Sequence, residues 1–185
     1  MMDEEAKKEL LSIARQAVEA AVRGEKLPEF KSTTGELQTK SAAFVTIKNQ
    51  GRLRGCIGQF TSELPLYQTV AEMAVASATR DPRFFADPIT PAELSEIDIE
   101  ISVLSPMQRI ENPLDLELGK HGIYIKRGLR SGCYLPQVAT ETGWSKEEFL
   151  SNCCRSKAGL EPDAWKDKDT EVDVFTAEII AEKEA

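Results

Sequence analysis

Histidine is nearly absent from this chain. His121 stands alone among 185 residues, and none of the four cysteines forms a Cys-x-x-Cys pair. Cys153 and Cys154 are adjacent, a poor spacing for two corners of one tetrahedral ion. A zinc or iron–sulfur centre is therefore not expected, and the carboxylates form no recognisable calcium or magnesium loop. No cofactor is expected either. The segment around Gly55 and Gly58 lacks the Gly-Lys-Ser/Thr ending of a phosphate loop, and it is not a dinucleotide fingerprint. Long apolar runs are missing too, with none near the roughly 18 residues that cross a bilayer. The start, Met1-Met2-Asp3-Glu4-Glu5, is acidic where a signal peptide is basic. A cytoplasmic protein is expected, with no membrane partner and with its cysteines kept as thiols. Basic charge is in deficit, 23 Lys and Arg against 31 Asp and Glu, for a net charge of −8. Such a surface repels nucleic acid, and the densest basic stretch, Lys126 to Arg130, reads as a solvated hairpin tip. Aromatics make up only 6% of the residues, which leaves the core to Ala, Val, Ile and Leu.

What is present is an ordinary globular composition, 41% hydrophobic and 29% charged. The length suits one large domain or two small lobes sharing a core. Residues 3–23 carry an apolar stripe at helical spacing through Leu10, Ala14, Ala17 and Ala21, with Asp3 to start the helix and Gly24 to stop it. A polar loop follows from Glu25 to Lys40. Ala42–Lys48 and Leu53–Phe60 flank the turn signal Asn49-Gln50-Gly51 and predict a β-hairpin. A helix is predicted from Pro65 to about Thr79, ended by Asp81-Pro82. Thr90-Pro91-Ala92-Glu93 is a capping box. From Ile97 to Val103 apolar and polar residues alternate, a half-buried strand with Asp98, Glu100 and Ser102 on its polar face. A second hairpin is expected around Gly128, then helices over 136–142 and from the capping box at Ser145 to Gly159. One last strand is expected over Val172–Ile180. Hairpins with helices to one side make the chain α+β rather than doubly wound. Gly55-Cys56 and Gly132-Cys133, each preceded by an arginine and followed by a helix, hint at an internal duplication.

Cys56 is the sharpest chemical candidate. Gly55 and Gly58 let backbone approach a ligand, and strand alternation puts Arg54 and Cys56 on one face, where the guanidinium would stabilise a thiolate. The bland alternative is a small core residue in a strand. Asp81 and Arg83 read either as a helix stop with a surface ion pair or as a base with an anion clamp. Glu100 is either solvated or part of a cleft wall. His121 reads as a strand-entry residue, and Cys153 and Cys154 as core.

Several segments, in order and over nearly the whole chain, resemble the AMMECR domain family. They include Ala43-Phe44-Val45-Thr46-Ile47, Leu53-Arg54-Gly55-Cys56-Ile57-Gly58, Asp81-Pro82-Arg83-Phe84 and Ile99-Glu100-Ile101-Ser102-Val103-Leu104. His121-Gly122-Ile123, Leu135-Pro136-Gln137-Val138-Ala139 and Lys157-Ala158-Gly159-Leu160 continue the match. The six-residue cysteine segment is that family's hallmark. The resemblance implies a single domain over 1–185 with two intertwined lobes, about 1–105 and 106–185, and a groove between them near the hallmark. It also implies a Memo-like or radical-SAM protein partner. It does not imply a reaction.

Two functional readings remain open. In the first, the protein is a binding or accessory module that uses Arg54, Gly55, Gly58 and Arg83 and performs no chemistry. In the second it is an enzyme, with Cys56 as nucleophile or redox thiol on a small anionic substrate and Asp81 or Glu100 moving protons.

Overall fold

A computed structural model describes residues 2–183. The fold is α+β, with four α-helices and two four-stranded sheets among the described residues. The chain divides into two compact units, one running to Leu104 and resuming at Glu178, the other spanning Ser105–Ala177.

In the first unit, α1 (Glu4–Arg23) starts where the Asp3 carboxylate accepts the Ala6 N–H at 2.7 Å, and ends at Gly24 in the left-handed region. Its buried stripe runs through Leu10, Ile13, Ala14, Ala17 and Ala20. Ala20 thus takes the buried place that spacing alone gave to Ala21. β1 (Ala43–Asn49) and β2 (Arg52–Gly58) form the expected hairpin. β3 (Ile97–Leu104) pairs with the other edge of β1, and β8 (Ala177–Ala181) completes the order β2-β1-β3-β8. Val45, Ile47, Ile99 and Ile101 turn to one side and share a core with α1 and with α2 (Leu66–Thr79). Thr46, Lys48, Cys56 and Glu100 occupy the opposite face, by the two-residue period of the strands. The alternation in β3 breaks near its end, where Ser102 is buried although it lies on the polar side and Val103 is only half-buried.

The second unit repeats this order of pairing. A hairpin of β5 (Gly122–Arg127) and β6 (Arg130–Tyr134) is joined by β7 (Glu171–Phe175), with the short β4 (Gln108–Arg109) outside it. The core holds Ile123, Ile125, Phe149, Leu150, Val172 and Val174, with Cys153 and Cys154 among them. α3 (Pro136–Thr142) starts and stops as expected, and α4 (Lys146–Cys153) starts at the Ser145 capping box but ends before the expected stop at Gly159. Past α4 the helix widens into a π-turn over Cys154–Ala158, closed by Gly159.

The single last strand expected over 172–180 is corrected by the structure. It is two strands in two different sheets, β7 and β8, separated by Thr176. The loop over 25–40 also contains a 3-10 turn at Gly35–Gln38 that buries Leu37 completely.

Candidate functional site

The hairpin register decides which side chains meet. Thr46 lies across from both Cys56 on β2 and Glu100 on β3, so these three residues form one row across the sheet. The Thr46 hydroxyl donates to Cys56 Sγ at 3.2 Å, and Glu100 pairs with Lys48 at 3.1 Å. Between Ile47 and Lys48 the register slips, and Arg54 is the extra residue that has no partner on β1.

That bulge alters the expected role of Arg54. It is only 4% exposed, and its guanidinium binds Glu93 at 2.9 Å and Asp87 at 2.8 Å, with Pro88 O at 3.2 Å. Its hydrogen bond holds the Glu93 carboxyl down to about 2. Glu93 also accepts the Thr90 N–H, closing the capping box seen in the sequence. Arg54 is thus part of an internal ion-pair network, and no hydrogen bond joins it to the Cys56 thiol among the described residues.

Arg83 lies beside the thiol instead. The Asp81 carboxylate, with 2% of its side chain exposed, accepts from Arg83 Nε at 2.9 Å and Nη2 at 2.6 Å, and from the N–H groups of Cys56 and Arg83 at 2.9 and 3.2 Å. These donors, the Arg83 guanidinium first, hold Asp81 below the ordinary carboxylate range against the opposing effect of burial. Arg83 also reaches Cys56 O at 3.2 Å. Its own pKa is raised chiefly by Asp81, with a minor contribution from the nearby Cys56 side chain. The guanidinium nevertheless keeps 54% of its side chain exposed. It lies 5.6 Å from the centre of the Phe84 ring, and the Arg54 guanidinium lies 6.0 Å from the same centre.

Gly55 faces the helix side. A Cβ placed there would lie 2.0 Å from the Ser77 carbonyl oxygen, so glycine is what lets α2 meet β2 backbone to backbone. Ser77 Oγ completes the junction, accepting the Ile57 N–H at 2.9 Å and donating to Val45 O at 2.7 Å. Gly58 makes room for the Phe44 ring.

The profile of the family described as AMMECR1 matches residues 11–180. This chain belongs to the AMMECR1 family. A protein of Methanopyrus kandleri, MK0488, is 44% identical over 184 residues, covering 95% of this chain and 87% of that one. A Methanothermobacter thermautotrophicus protein is 43% identical over 182 residues, covering 94% of this chain and 92% of its own. The crystal structure of the uncharacterised protein PH0010 from Pyrococcus horikoshii superposes with a TM-score of 0.86 at 40% identity, over 96% of this chain and 92% of that chain. These names assign no activity to AMMECR1-family proteins.

Among the expected site residues of this AMMECR1-family chain, Cys56, Asp81 and Arg83 come together. Arg54, Glu100 and the two glycines serve neighbouring roles. Thr46, Ser77 and Glu93 are the additions. Thr46 could have been found by counting across the hairpin, whereas Ser77 is one small polar residue in an apolar helix and carries no signal by itself. The four cysteines are free, and burial raises the thiol of Cys133 to about 11 and those of Cys153 and Cys154 above the ordinary range. The described residues hold no group of three or more His, Cys, Asp or Glu that could bind a metal ion, and no helix among them is long and apolar enough to cross a membrane.

Proposed function

We propose that this protein is a cytoplasmic binding or accessory module that presents the Cys56–Arg83 patch to a partner. The observation that carries this reading is the saturation of Asp81. A buried carboxylate that accepts four hydrogen bonds, with its pKa held low, serves poorly as a general base. It braces Cys56 and Arg83, leaving a half-exposed guanidinium as the group that meets a ligand. By family analogy the partner is a Memo-like or radical-SAM protein.

The test is titration calorimetry with a purified Memo-like or radical-SAM protein. Cys56→Ser should keep affinity within about twofold, whereas Arg83→Glu should weaken it at least about tenfold, as for a central interface arginine. Unchanged affinity in Arg83→Glu would sink the module reading.

One observation favours the enzyme reading, namely that the Arg83 charge and the Thr46 hydroxyl both attend the Cys56 sulfur. Cys56 would then attack or exchange with a small anionic substrate held by Arg83. Loss of partner binding in Cys56→Ser, together with rapid alkylation of Cys56 near neutral pH, would favour it.

A further inference from the structure

The outer flank of α2 carries a different surface, distant in role from the Cys56 patch. Gln68, Ala71, Glu72 and Val75 recur at helical spacing, and the segment after α1 faces them with Leu27, Pro28 and Phe30 across a trough of about 320 Å³. Phe30 and Val75 rest partly on the core, while Leu27 is 44% exposed. Glu72 and Arg80 lie on the rim. Both are exposed, and the side chain of neither has an ion pair or hydrogen bond among the described residues. They are eight positions apart along α2 and its C-terminal cap, which is about 12 Å.

We propose that this trough receives a short segment of a partner protein with bulky apolar side chains between one basic and one acidic residue. An apolar floor with a charged rim is the pattern of a protein interface. Charge selects the occupant. A fatty acid would satisfy Arg80 but lay its chain beside Glu72, and an alkyl amine would do the reverse. An extended segment of about four residues spans the interval and answers both charges. This surface goes beyond the Cys56 reading and uses none of its residues.

The experiment is a titration of the ¹⁵N-labelled full chain with the blocked peptide Lys-Phe-Ala-Leu-Glu, followed by amide shifts. Saturable shifts are expected at Leu27, Ala71, Val75 and Arg80. The same peptide with Gln at both charged positions should bind about fivefold more weakly, the effect of two exposed ion pairs. The double variant Glu72→Ala, Arg80→Ala should bind the two peptides alike. Leu27→Asp, at an exposed loop position, should keep its circular dichroism and weaken binding at least about tenfold. The proposal is overturned by an absence of saturable shifts, by shifts confined to other residues, or by equal binding of both peptides to the wild type. Saturable binding of octanoate without binding of the peptide would overturn it in favour of a lipid-like ligand.

Discussion

The backbone of Cys56 is held from both sides by one ion pair: its N–H donates to Asp81 at 2.9 Å, and its carbonyl accepts from Arg83 at 3.2 Å. The cysteine therefore depends on a loop 25 residues away in sequence for its position. Asp81→Asn removes the charge that holds Arg83 and weakens the bond to Cys56. A loss of about 2–4 kcal/mol in urea unfolding is expected, with faster hydrogen exchange at the Cys56 amide. If stability falls while that amide stays protected, the brace is not what positions Cys56.

Acid should weaken the first unit through Glu93. Its carboxyl is held at about 2 in the folded state, against an ordinary value of 4.5. Between those values the unfolded chain binds more protons, so the stability from this group is present above about 4.5 and is lost as pH falls toward 2. Glu93→Gln should flatten this part of the stability–pH curve. It also leaves the buried Arg54 without its main partner, at a cost of about 3 kcal/mol near neutral pH. An unchanged acid profile in the variant would count against the Arg54–Glu93 network.

Gly55→Ala tests the contact between α2 and β2. The added methyl would lie 2.0 Å from a backbone oxygen, so the helix must move away from the strand. Destabilisation of about 3 kcal/mol is expected, the upper part of the overpacking range. Gly35→Ala, where nothing lies within 4 Å, is the control and should change stability by less than about 0.5 kcal/mol.

Alkylation followed by mass spectrometry should rank the cysteines. Cys153 and Cys154 are buried, and Cys133 titrates only at about 11, so these three should react slowly until the protein unfolds. Cys56 is partly exposed, with Arg83 beside it, and should react first. Arg83→Gln should slow it. Equal rates for Cys56 and Cys133 in the native protein would remove the basis for singling out Cys56.

Much of this fold was legible in the sequence because its signals are local. Asp3 and Gly24 bound α1, the Asn49-Gln50-Gly51 turn sets the first hairpin, and both capping boxes form where they were read. Arg54 shows the limit of such reading. Alternation places it beside Cys56, yet one extra residue in the strand shifts the register and gives Arg54 to Glu93 and Asp87, an outcome fixed by pairing energies between distant segments. The Cys56–Arg83 contact was hidden for the same reason, since the nearer arginine in sequence is not the nearer one in space. The break at Thr176 was hidden as well, because a residue that separates two strands of different sheets has no signature of its own.

The placement of β8 has a consequence during synthesis. The partner that covers the free edge of β3 is drawn from residues 177–181, which leave the ribosome only after almost the whole second unit, Ser105–Ala177, has been made. Until then Ile97–Leu104, rich in isoleucine, presents unpaired amides and carbonyls. A nascent chain of this protein is therefore exposed to misassociation through that edge until β8 has emerged, and a fragment cut after Leu104 would keep the exposed edge permanently.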